Sequence, residues 1–181
     1  MIILNSSRFA RRLFLKAAML LRTTPSFAVG KKQFVRIVEF DPSGTRKGVV
    51  EVERIEKTAD EWKKQLTTEA YLVTRQVGTE RPYSGQYATN HDDGLYHCIC
   101  CDTTMFDSIT ESGTGWPSFW KPIAKENVVN RPDNSLGMRR VEVLCSRCDS
   151  HPGHVFDDGP PPTHLRYCMN SVALNFVPRG K

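Results

Sequence analysis

Apolar and polar residues alternate along most of the chain beyond residue 34. FVRIVEF (34–40) and KGVVEVERIE (47–56) switch with period two, the spacing of strands with one buried face. DPSG (41–44) between them is rich in turn formers, so a β-hairpin is predicted. Thr58-Ala59-Asp60-Glu61 has the spacing of a capping box and predicts a short helix through about Leu66. Thr67 or Thr68 can cap a second helix over about 69–76, which Gly78 would stop; Pro82, Ser84 and Gly85 then predict a loop. From residue 90 the pattern breaks into short runs: LYHCIC (95–100), MRRVEVLC (138–145), HVF (154–156) and LRYCMNSVALNFV (165–177). Turn-forming clusters separate them, at His91 to Gly94, Ser112 to Gly115, Arg131-Pro132-Asp133-Asn134 and Asp157 to Pro162. The expected fold is mainly β and antiparallel, with short N-terminal helices.

Length and charge narrow this picture. The chain has 181 residues, enough for one domain with a real core, and no apolar run approaches the roughly 20 residues of a membrane span. Its formal charge is +5, but Arg8, Arg11, Arg12, Lys16 and Arg22 fall in the first thirty residues, and no acid precedes Glu39. Without those five the remainder is neutral, which argues against a nucleic-acid groove on the folded domain. Residues 1–30, Arg-rich, acid-free and amphipathic, are expected to be a mitochondrial transit peptide. A secretory signal is the alternative, and Lys16 interrupts its apolar stretch.

Six cysteines sharpen the chemistry. Cys98 and Cys101 form one C-x-x-C, Cys145 and Cys148 a second, and Cys100 and Cys168 are left over. Two such pairs match a structural zinc site of four thiolates, holding one ion with no position open for chemistry. A site using His151 and His154 with Cys145 and Cys148 would leave the first pair unexplained.

Reactivity must then come from elsewhere. On a strand, Arg166, Cys168 and Asn170 share a face that would continue through Val172, Leu174 and Phe176. Arg166 is placed to lower the thiol's pKa and Asn170 to donate to an anion, although a buried structural thiol remains the alternative. His151 and His154, on a turn after the second cysteine pair, are acid/base candidates, with Asp158 downstream to orient an imidazole. Trp116, beside the turn before it, could wall an exposed pocket. Phe119 is a second candidate there, although for Phe119 and Trp120 a hydrophobic cluster tethering the loop is the preferred reading.

Taken together, WKKQLTTEAYLVTRQVGTERPYSG, GLYHCICC with MF, SGTGWPSF, CSRCDSHPGHVFDDGP and LRYCMNSVAL resemble the methionine-R-sulfoxide reductases, in order, from about Thr58 to Val177. The resemblance implies a small antiparallel β-tent over 58–178, preceded by the hairpin region 31–57 and followed by a short tail, 179–181. It also implies Cys168 as nucleophile, zinc on the four paired cysteines, and Trp116 against the substrate methyl group. His151 and His154 would manage the sulfoxide oxygen with Asp158 supporting them, and Arg166 and Asn170 would hold the thiolate. The implied substrate is methionine-R-sulfoxide, chiefly in oxidised proteins or peptides. The implied reductant is thioredoxin or another thiol, acting on a Cys168 sulfenic acid. Thr114 occupies the position where many family members carry a resolving cysteine, so an external thiol is expected to reduce Cys168 directly. A monomer without membrane or nucleic-acid partners is expected. The rivals are a zinc-bearing binding module, which needs no reactive sixth cysteine, and a cysteine hydrolase on Cys168 and His154, for which no oxyanion-hole signature is present.

Overall fold

The computed structural model describes residues 32–110 and 114–180; the expected transit peptide at 1–30 lies outside the described residues. Strands β1 (Phe34–Phe40) and β2 (Arg46–Glu53) form the expected hairpin, followed by helices α1 (Ala59–Gln65) and α2 (Thr68–Gln76). Eight further strands are β3 (Gly94–Cys98), β4 (Thr104–Asp107), β5 (Ser118–Phe119), β6 (Val128–Asp133), β7 (Arg140–Cys145), β8 (Gly153–Phe156), β9 (Arg166–Met169) and β10 (Leu174–Pro178). They pair antiparallel as a three-stranded sheet, β10-β3-β4, and a five-stranded sheet, β5-β9-β8-β7-β6. Aromatic packing joins the two sheets. Phe106 of β4 stacks on Phe119 of β5 with ring centroids 4.5 Å apart, and Tyr96 of β3 meets Phe119 edge-on at 5.0 Å. The mainly β, antiparallel arrangement with two short helices is as expected.

Both helices start where their caps are. The Thr58 hydroxyl accepts from the Glu61 N–H and the Glu61 carboxylate accepts from the Thr58 N–H, which closes the capping box. Thr67 caps α2. Its end differs from expectation: Val77, not Gly78, takes the left-handed conformation (φ 57°), and Gly78 instead lies tight against the Leu72 carbonyl. Two further differences concern strands. The cluster Arg131-Pro132-Asp133 is not a turn but the end of β6, an edge strand on which proline's missing N–H disturbs no ladder. And the run 165–177 is not one strand, because a 3₁₀ turn at Ser171–Ala173 divides it and ends the shared face at Asn170.

The hairpin is fastened to the sheets by polar contacts. Asn127, fully buried, accepts from the Val38 N–H at 2.7 Å and donates to the carbonyls of Val38 at 2.9 Å and Thr104 at 2.7 Å, acting as a one-residue strand between β1 and β4. At the other end the Ile55 N–H donates to Arg147 O at 2.8 Å, and Arg54 pairs with Asp149. Both contacts fall on the turn around Cys145 and Cys148.

Asn127→Ala strands three buried backbone groups and is expected to lower stability by about 3 kcal/mol, read by denaturant unfolding. Far-UV circular dichroism should stay native-like below the transition.

Candidate active site

The pairing register of the five-stranded sheet builds the site. Arg131 of β6 lies opposite Glu142 of β7, Glu142 opposite His154 of β8, His154 opposite Cys168 of β9, and Cys168 opposite Ser118 of β5. Cross-strand partners project to the same face, so five polar side chains form one row across five strands. The next row on that face contains Asp133 opposite Arg140, and Phe156 opposite Arg166. The intervening rows turn the other way, and Val143, Met169, Val155, Tyr167 and Phe119 are buried in the core. Gly153 makes the β8–β9 approach possible, since a Cβ there would overlap the Cys168 carbonyl oxygen.

A cavity of about 220 Å³ opens over these two rows, bounded by Trp116, Arg140, His154, Phe156, Arg166 and Cys168, among others. Cys168 is the one cysteine lining it. Burial pushes the Cys168 thiol above its ordinary pKa, while the Ser118 hydroxyl, the Arg166 charge and the Thr114 hydroxyl pull it down. Burial wins. Trp116 is held by its indole N–H donating to Glu80 O at 3.1 Å.

Two carboxylates orient the histidines. His154 Nε2 donates to Asp133 at 2.9 Å, and Arg140 holds the same carboxylate oxygen at 2.6 Å. Contacts from Ser135, then His154 and Arg140, keep Asp133 well below the usual carboxylate range. His151 Nδ1 donates to Glu142 at 2.9 Å, whose other oxygen binds Arg131 at 2.8 Å. Burial first, and the neighbouring His154 second, lower the His151 pKa to about 4, so it is neutral at pH 7. Asn170 accepts from the Glu80 N–H at 2.9 Å and donates to Pro152 O at 2.9 Å. Its amide thereby ties the start of β8 to the end of β9.

The sulfur atoms of Cys98, Cys101, Cys145 and Cys148 converge within 4.8 Å of one another, with Cys98–Cys148 at 3.7 Å and Cys101–Cys145 at 3.5 Å. Four sulfurs on 2.3 Å zinc bonds lie about 3.8 Å apart, so this cluster fits a tetrahedral zinc ion.

Comparison with known proteins agrees with this geometry. The SelR domain family matches residues 66–178. A protein of Pseudomonas syringae named peptide methionine sulfoxide reductase MsrB is 55% identical over 131 residues, covering 71% of this chain and 100% of its own length. A Pseudomonas fluorescens protein of the same name is 56% identical over 130 residues, with the same coverage. The chain belongs to the SelR domain family. The hairpin and helix α1 precede the matched region.

Within this SelR domain the expected site residues divide. Cys168, His154, Arg166, Asn170 and Trp116 meet at the cavity. His151 is 1% exposed and absent from the cavity wall, so it sits behind His154, ring centroids 5.0 Å apart. Phe119 is corrected: it is 0% exposed, stacked in the core, because its register opposite Tyr167 turns it away from the face that carries Ser118. Asp158 is corrected too, since it clamps Arg166 with two hydrogen bonds of 2.8 Å and contacts neither histidine. The expectation that Arg166 lowers the thiol pKa holds for its own contribution but not for the sum. Asp133, Glu142, Arg131, Arg140, Ser118 and Glu80 were missed. Only Glu142 and Arg140 carried a signal, as polar positions alternating with valines in β7.

Alkylation of Cys168 by iodoacetamide should accelerate with pH and show its inflection above that of an ordinary thiol. Arg166→Ala removes a positive charge and should move the inflection further up. An inflection below the ordinary thiol value would contradict the dominance of burial.

Proposed function

We propose that this protein reduces methionine-R-sulfoxide, chiefly in oxidised polypeptides, to methionine, with Cys168 as the catalytic nucleophile. The observation that carries the reading is the pairing of Cys168 with His154 across adjacent strands at a cavity walled by Trp116. Membership of the SelR family, whose relatives are named for peptide methionine sulfoxide reduction, supports it. Selectivity for the R epimer rests on the family resemblance.

The thiol sulfur of Cys168 attacks the sulfoxide sulfur as its proton leaves and the sulfoxide oxygen is protonated. His154 relays that proton: Nε2 is committed to Asp133, so Nδ1 takes the proton from the thiol and passes it to the sulfoxide oxygen. Oxygen passes to Cys168, which becomes a sulfenic acid, and the substrate sulfur leaves reduced as methionine. An external thiol then condenses with the sulfenic acid, releasing water and forming a mixed disulfide. A second thiol of the reductant, thioredoxin or another dithiol, displaces Cys168 and leaves the reductant oxidised. Thr114 hydrogen-bonds Ser118 at 2.7 Å beside Cys168 and offers no sulfur for an internal disulfide. Cys98, Cys101, Cys145 and Cys148 would hold one zinc ion, which supplies folding free energy when bound. The leader, residues 1–30, is proposed to direct the chain to the mitochondrion, and a monomer is proposed as the working unit.

Turnover is expected on the separated R but not the S sulfoxide, with dithiothreitol or thioredoxin as reductant. Cys168→Ser should lose about a thousandfold or more. Turnover by that variant would reject Cys168 as the nucleophile. Mass mapping of sulfoxide-treated protein should find no dominant Cys100–Cys168 disulfide; finding one would replace direct external reduction with an internal route.

A further inference from the structure

A second cavity adjoins the first. It has a volume of about 410 Å³ and shares two walls with the Cys168 cavity, Arg140 and Phe156. Of its other lining residues Pro132, Val141, Val155 and Leu165 are apolar, and Asn134, Arg139 and Asp157 are polar. Val141 and Val155 are cross-strand partners in the row just beyond the reaction row, pointing to the opposite face. The cavity therefore bends round the ends of β7 and β8, from the reaction face to the back of the sheet. Val141 is 36% exposed there, although its partner Val155 is buried.

Arg140 and Phe156 wall both cavities, so a polypeptide whose methionine sulfoxide side chain reaches Cys168 can run on past them. Polypeptide continuing past those two residues enters the second cavity. In its lining Arg139 and Asp157 are both exposed and opposite in sign, and Arg140 is paired with Asp133, so these charges offset and give little preference for an acidic or a basic residue. Discrimination falls to the apolar floor, and the hydrophobic effect rewards a side chain that covers it.

We propose that this groove receives the residue next to methionine sulfoxide in a polypeptide substrate and selects an apolar one, with Val141 as a specificity-determining residue. The proposal rests on the sulfoxide-reductase reading of Cys168.

The test compares pentapeptides carrying methionine-R-sulfoxide with Leu, Gly, Asp or Lys immediately before or after it, beside the small compound N-acetyl-methionine-R-sulfoxide methylamide. Dithiothreitol is the reductant throughout. Leu on one side of the sulfoxide is expected to raise kcat/KM about five- to tenfold over Gly, mainly through KM, with Asp and Lys no better than Gly. Val141→Lys places a charge on the groove floor and should bring the Leu-to-Gly ratio close to one. Equal rates for Leu and Gly on both sides, or a ratio unchanged in Val141→Lys, overturn the groove alone while turnover of the small compound sustains the reading of Cys168. No turnover of any of these substrates overturns both. A preference for Asp or Lys instead would assign the groove to charge recognition and reject the apolar readout.

Discussion

Backbone pairing between β8 and β9 is the constraint on which the rest of this structure depends, because it decides which residue faces Cys168. With His154 opposite Cys168, the two share a face, and the same ladder carries the row outward to Glu142 and Arg131 on one side and Ser118 on the other. A slip of one residue would send the whole set into the core and bring valines to the cavity. Several features hold the register. Gly153 admits the close approach of β9, and the Asn170 amide bridges Pro152 O and the Glu80 N–H. Glu80 in turn accepts from the N–H groups of Ser171 and Val172, fixing the turn that ends the shared face.

The cysteine cluster serves the same end from a distance. Cys145 ends β7 and Cys98 ends β3, so one bound ion would tie the five-stranded sheet to the three-stranded one. Both knuckles are gripped from outside. Gln65 donates to Cys100 O at 2.8 Å, Arg75 to Cys148 O at 2.8 Å, and the hairpin holds Arg147 and Asp149. Chemistry and scaffold are thus separated: four thiols take the structural role, and Cys168 keeps its sulfur at the cavity. Its environment balances opposing terms, with burial favouring the thiol and three polar neighbours favouring the thiolate.

What could be read in the sequence was local. The four-cysteine cluster is legible because C-x-x-C places two sulfurs on one turn, and the helix starts because Thr58 and Thr67 cap within their own first turns. Period-two alternation put Arg166 and Cys168 together correctly. Relations across strands were not legible. Glu142 looks like a solvent-facing acid in an alternating run, and only the β7–β8 register shows that it meets His151. Asp133 looked like part of a proline turn, since nothing local says that β6 is an edge strand. Phe119 stays ambiguous in the sequence between pocket and core because β5 has only two residues and no period to read, whereas its partner Tyr167 assigns it to the core. Asp158 lies close to His154 in sequence, yet its charge is drawn to Arg166, which is nearer in space and always cationic.

The central claim is that one sulfur, on β9, performs the oxygen transfer while the four clustered sulfurs take no part. Mixing the zinc-loaded protein with excess methionine-R-sulfoxide, with no reductant present, tests it directly when methionine released is counted against thiols lost at each cysteine. The account predicts one methionine per chain and one thiol lost, at Cys168, with Cys98, Cys101, Cys145 and Cys148 intact. Release of methionine with Cys168 still reduced, or with the loss falling on the cluster, would contradict it.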